Sequence, residues 1–233
     1  MRLAQAVIAV FIGSVSATVA NRDTNQLPPT VPVIPATTFQ NVGLILTHTG
    51  PFDSRTRADP TLNFFEKYVH SIETLNLANQ YPNFYAPNST FYNANGTAYV
   101  GGPTIAAFIE GLFTPFNKII VNEHVHRVIP FAATPALGGE GASNAQDKIN
   151  SELCVSSTKC NWIFTEHDFI FFLSPPLDGP GIPVRRSMTF LAGPAQVAGQ
   201  GTDGLQWYEV KVWWDEVVLL NEISKRKGAK PAA

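Results

Sequence analysis

At 233 residues, with 45% hydrophobic and 11% aromatic content, the chain can bury a sizeable core in one domain and is too apolar to be disordered throughout. A formal charge of -2, with only 15% charged residues, gives no basic face for counterion release from a phosphate backbone, which argues against a nucleic-acid partner.

Arg2 precedes the apolar run LAQAVIAVFIG, which is too short to span a bilayer, and small residues follow at Ser16, Ala17 and Ala20. This pattern predicts a secretory signal over residues 1–20, hence an extracellular protein with no membrane attachment after cleavage. Gln5 and Gly13 interrupt the run and weaken the alternative of an uncleaved anchor. Residues 21–59, with LPPTVPVIP at their heart, read as a proline-rich leader arm.

The pattern changes at Asp59-Pro60, an N-cap followed by proline at the first helical position. Phe64, Phe65, Tyr68, Val69, Ile72 and Leu75 then recur at helical spacing. A short helical piece through Leu77 and Tyr81 ends near Pro82. Ser89–Ala94 and Thr97–Val100 flank Asn95-Gly96, which predicts a hairpin whose two turn residues both take positive φ. Pro103 opens a third helix that buries Ile105, Phe108, Ile109, Leu112 and Phe113.

Four strand-like runs follow: KIIVNEHVHRVIPF, NWIFTEHDFIFFL, IPVRRSMTFLAG and LQWYEVKVWW. A Gly- and Ala-rich insertion, residues 133–160, separates the first two. Cys154 and Cys160 are the only cysteines, and in a secreted chain two thiols predict a disulfide closing a small loop, not a metal site. Asn88 in NST and Asn95 in NGT are glycan acceptors in a glycosylating host. Asp215 can cap a last helix, DEVVLLNEISKR, and residues 226–233 form a basic tail. Helices, a hairpin, one more helix and then long strands describe an α+β domain over residues 60–225.

That order, with FYAPNSTFYNANGTAYVGGPTIAAFIEGLF and the closing WWDEVVLLNEI, resembles the nuclear-transport-factor-2-like superfamily. The nearest pattern is its SnoaL-like polyketide cyclase, scytalone dehydratase and ketosteroid isomerase branches. The resemblance implies a cone-shaped barrel: a strongly curved antiparallel sheet packed on about three helices, enclosing a pocket for a small apolar metabolite. It also implies cofactor-free chemistry and homodimers formed through the outer sheet face. Tyr68, Tyr92, Asn93, Phe108 and Trp214 are then the expected pocket lining. In the steroid isomerases of this superfamily the first strand carries a proton-shuttling aspartate. Here Asn93 stands in that place, and an amide cannot take and return a proton near neutral pH.

Histidines offer another base. His124 and His126 are two apart on one predicted strand and so are expected on one face, with Glu123 and Arg127 on the other. His167, on the next strand, shares its face with Thr165 and Phe169, while Glu166 and Asp168 point away. Three imidazoles converging on one pocket would suit general acid–base chemistry of a dehydratase, cyclase or isomerase. His-x-His with a third histidine also suits zinc or iron, but Arg127-Val128-Ile129-Pro130 follows where a cupin has its glutamate, so no metal is expected. A non-catalytic binding protein on the same fold is the other reading. On the last strand Tyr208, Val210, Val212 and Trp214 alternate with Trp207, Glu209, Lys211 and Trp213, predicting one core face and one mixed face suited to a subunit contact.

Overall fold

The computed structural model describes residues 45–130, 154 and 160–228. The signal segment, residues 21–44 of the leader, most of the 133–160 insertion and the end of the basic tail lie outside the described residues. In chain order the elements are β1 (Leu46–Thr49), α1 (Ser54–Ala58), α2 (Pro60–Glu73), α3 (Tyr81–Phe84), β2 (Tyr85–Tyr92) and β3 (Ala98–Val100). There follow α4 (Gly102–Phe113), β4 (Phe116–Pro130), β5 (Asn161–Leu173), β6 (Ile182–Pro194), β7 (Leu205–Trp214) and α5 (Glu216–Gly228). The domain therefore starts before Pro60. Leu46–Thr49 pairs with Val125–Val128 and covers the edge of β4, so part of the expected leader is an integral strand.

α2 forms as its sequence predicts. The Asp59 carboxylate accepts from the Thr61 and Leu62 N–H groups, both at 2.9 Å, and Pro60 occupies the first helical position. Leu62, Phe64, Phe65, Tyr68, Val69 and Ile72 then make one buried face. α4 begins at Gly101, whose φ of 87° is open to glycine at little cost; its buried face is Ile105, Ala106 and Ile109. α5 is capped by Asp215, whose Oδ1 accepts from Val217 N–H at 2.9 Å.

The seven strands run in the order β1-β4-β5-β6-β7-β2-β3, all neighbours antiparallel except the parallel pair β2/β7. Among the described residues this is an α+β fold of one seven-stranded sheet and five helices. The core is aromatic: Trp207 packs on Phe64 and Phe190 at centroid separations of 4.3 and 4.8 Å, and Phe65 on Phe190 at 5.0 Å. Pairs of this kind add about 0.5–1.5 kcal/mol each beyond their buried area.

Two expectations fail for local reasons. Of the hairpin pair only Gly96 takes a positive φ, 82°. Asn95 instead turns its carboxamide back to accept from Thr97 N–H at 2.9 Å, and Gly96 N–H closes the turn on the Asn93 carbonyl. On β7, Trp207 is fully buried in the main core with Val210 and Val212, while Tyr208 faces the other way. A bulge places one extra residue, Tyr208, opposite the Leu191–Ala192 step, so the inward parity changes between Trp207 and Val210.

Tyr208 joins Ala86, Trp162, Leu191 and the Cys154–Cys160 disulfide in a second, smaller apolar cluster. Gly193 permits it: a Cβ there would sit 2.7 Å from the Tyr208 ring. Removing the α2 cap by Asp59→Ala should lower stability by about 1 kcal/mol in urea unfolding, with Asp59→Asn close to wild type. Equal stability of Asp59→Ala and wild type would show that tertiary packing alone holds the helix start.

Candidate functional site

β4 and β5 position the central group. Ile119 and Val121 face inward at the start of β4, and a second bulge follows, with Glu123 opposite His167 and Val125 opposite Glu166. His124 is the extra residue. It swings outward, and the inward set resumes with His126 and Val128, so Glu123 and His126, three apart, share the core face. This corrects the expected pairing of His124 with His126. A parity change between the apolar positions 121 and 128 is the trace the bulge leaves in the sequence.

The Glu123 side chain is buried between two imidazoles. Its Oε2 lies 3.2 Å from His126 Nε2 and 3.8 Å from His167 Nδ1, and the two histidines are 0% and 1% exposed. Thr165 Oγ1 is 2.7 Å from His167 Nδ1, which leaves Nε2 as that ring's free nitrogen. Both Glu123 oxygens and both His126 nitrogens lack a partner in hydrogen-bond geometry. Phe52 stacks on His126 at 5.0 Å, Phe65 meets it edge-on at 5.4 Å, and His48, directly across from it on β1, stacks at 6.1 Å.

Burial dictates the protonation of this group. It pushes the Glu123 carboxyl up to about 8, helped by the negative charge of Glu73, which holds the Val121 N–H at the end of α2. Burial draws His126 down to about 4, with His48 adding to the effect, and holds His167 well below its ordinary value, with the Arg186 charge second. Near neutral pH the contact is thus a protonated carboxyl beside neutral imidazoles, not a salt bridge.

His124 is elsewhere. Its Nε2 meets Asp168 Oδ2 at 2.8 Å on the outer face, where Arg185 also pairs with Asp168. The His-x-His metal set is therefore not assembled, and no group of three or more His, Cys, Asp or Glu among the described residues is arranged to hold a metal ion.

A second polar group lies one ring away. Arg186 follows the inward stripe of β6, Ile182, Val184, Met188, Phe190 and Ala192, yet carries a charge. Its guanidinium lies over the rings of Phe169 and Trp214, each 4.2 Å away, with Phe171 at 4.9 Å. Arg186 is 5% exposed, and its Nε and Nη2 have no hydrogen-bond partner. Burial draws it down to about 9, against the pull of Tyr68 and Glu216, so it stays charged at neutral pH. Each ring contact returns up to about 2 kcal/mol when desolvated, against several kcal/mol for burying an unpaired ion.

Arg186 borders a cavity of about 30 Å³ lined also by Tyr68, Asn93, Phe169, Met188 and Trp214. That is room for one or two waters, far less than the large open hollow expected of the cone. Of the expected pocket residues Tyr68, Asn93 and Trp214 line this cavity, with the Asn93 amide 3.4 Å from Glu216 Oε1. Phe108 and Tyr92 do not line it. Phe108 packs on Tyr99 at 4.0 Å and on Phe91, and the Tyr92 ring lies under the Lys211 ammonium. Phe169 is the shared wall, touching His167 at 5.0 Å on one side and Arg186 on the other.

No family model matches the chain, and no curated protein does. Among solved structures it is similar to Aln2 from a Streptomyces species, at 12% identity over 73% of this chain and 98% of that one, TM-score 0.47. A protein with a cystatin-like fold from Caulobacter vibrioides gives 10% identity, 72% and 97% coverage and TM-score 0.43. A protein from a Jannaschia species assigned as a SnoaL-like polyketide cyclase gives 12%, 70% and 90%, and 0.43. At such identities these likenesses say nothing of chemistry.

The folded protein keeps on Glu123, up to about pH 8, a proton that its ordinary value of 4.5 would release. Stability from this group is full below pH 4.5 and lost as pH rises through 8. The two histidines, depressed from 6.5, act oppositely and lose stability only as pH falls below 6.5. Between pH 6.5 and 8 denaturant unfolding should therefore show a loss on the order of 1–2 kcal/mol. Glu123→Gln should flatten that slope; an unchanged slope would mean the carboxyl is ionised in the fold.

Proposed function

We propose that this chain is a secreted small-molecule-pocket protein that moves protons without a cofactor, a lyase or isomerase of dehydratase, cyclase or isomerase type acting on an apolar metabolite. The observation that carries this reading is Glu123, buried with no aligned hydrogen bond between His126 and His167. A carboxyl titrating at about 8 is poised near neutral pH to give up and recover a proton. In the tautomer whose Nδ1–H donates to Thr165 Oγ1, the unpartnered His167 Nε2 is the complementary acceptor, and that bond holds its ring. His124, tied to Asp168 on the outer face, has no part in this scheme.

One observation favours a second reading, ligand binding without turnover: the cavity is small, and Phe169 stands between it and the imidazoles. For catalysis Phe169 must rotate aside when the metabolite enters. A homodimer through the outer sheet face fits either reading, supported by Trp213, 49% exposed beside a groove of about 300 Å³ lined by Val125, Arg127, Phe164 and Glu166. Among the described residues no helix is long and apolar enough to cross a membrane.

Incubating culture-medium metabolites with wild type or Glu123→Gln, followed by mass spectrometry, separates the two readings. Catalysis predicts features that isomerise or lose water with wild type and at least about a hundredfold more slowly with the variant. Metabolites that only co-purify, with none converted, would leave binding. Secretion has its own check. In a glycosylating host the glycan mass should vanish in Asn95→Gln, whose turn is exposed, and persist in Asn88→Gln, since Asn88 lies in β2 with its Oδ1 buried.

A further inference from the structure

One edge of the Arg186 guanidinium is unmatched. Side-on, Nε–H and an Nη2–H point the same way, the edge that receives both oxygens of a carboxylate in a bidentate pair. In this protein that edge belongs to a residue 5% exposed and is without any partner, and the residue borders the cavity lined by Tyr68, Asn93 and Trp214. The nearby carboxylate does not serve it: Glu216 acts on Arg186 only through space, and its Oε1 is in reach of the Asn93 amide instead. Phe169 and Trp214 each lie 4.2 Å from the guanidinium carbon, so the charge is held among aromatic rings. Away from Arg186 the lining is apolar, Ile72, Leu77, Ile109 and Phe113, the last half-buried and marking the outer end.

We infer that Arg186 is a carboxylate-binding subsite, which takes the acid group of a small organic acid on its Nε–Nη2 edge in place of the one or two waters the cavity now admits, the acid's apolar body displacing the half-buried Phe113 beside Trp214. The inference sharpens the ligand class of the proposed pocket and rests on that pocket being a ligand site, not on catalysis. The carboxylate is favoured over an inorganic anion because one planar two-donor edge set among aromatic rings matches a flat two-oxygen group with an apolar substituent. Sulfate or phosphate would need further donors; Asn93 is the one amide in the lining, and the Tyr68 hydroxyl is already bonded to Tyr85.

The test is a titration of the purified full chain at fixed ionic strength, following tryptophan fluorescence because Trp214 rests on the guanidinium. The probes are acetate and benzoate, their neutral counterparts acetamide and benzamide, and sulfate. Saturable binding of benzoate at least about tenfold tighter than benzamide, with sulfate no better than acetate, is the expected result. Arg186→Gln should abolish the carboxylate preference, and Arg186→Lys, which keeps charge but not the fork, should retain only part of it. Equal affinity for benzoate and benzamide in wild type, or no saturation by either acid, overturns the inference without needing any variant to fold. Sulfate binding as tightly as benzoate overturns the carboxylate assignment. Because the readout is binding, a failure here leaves the proton-transfer reading to be decided by Glu123→Gln turnover.

Discussion

One extra residue in β4 decides what this protein's interior contains. Without the bulge at His124, strict alternation would put His124 and His126 on one face and Glu123 on the other. With it, Glu123 and His126 both turn inward to meet His167 from β5. The same device recurs at Tyr208 on β7, where it sends Trp207 into the core and the tyrosine to the disulfide cluster. Bulges also increase local twist, so the two devices act on the sheet as well as on the site.

The interior that results is packed yet unevenly satisfied. Around Trp207, Phe64 and Phe190 the rings interlock as in any well-filled core. Beyond them, a carboxyl, two imidazoles and a guanidinium sit with donors and acceptors unmatched. Buried polar groups left in this state cost about 1–3 kcal/mol apiece. A fold that only needed stability would replace them with apolar side chains of similar size. The aromatic core is what can absorb such a cost, and Phe169 touches two of these groups, His167 and Arg186.

Sequence pattern carried the architecture further than the site. Asp59-Pro60, the helical spacing of Phe64 to Ile72 and the four late strands were legible because each follows from a local rule that tertiary packing did not override. His167 was placed with Thr165 and Phe169 for the same reason: β5 keeps its parity from Ile163 to Leu173. Glu123 was misplaced because a bulge is a non-local choice, made where two strands must bend together. Arg186 was open to discovery, since it falls in phase with Ile182, Val184 and Met188. His48 lay in a stretch taken for leader, and nothing local announces that Leu46–Thr49 would cap the edge of β4.

The two unmatched groups are coupled through charge. The Arg186 cation is among the causes that depress His167, because a second positive charge nearby is disfavoured. An organic acid seated on the guanidinium would cancel that field, and His167 would become more basic only when the site is occupied. Charge on the ligand would then do two things at once, anchoring the molecule and arming the imidazole. An empty protein would keep its proton carriers dry, neutral and shielded by a ring, a sound arrangement for a chain that must hold unpaired acid–base groups inside its core without reacting at random.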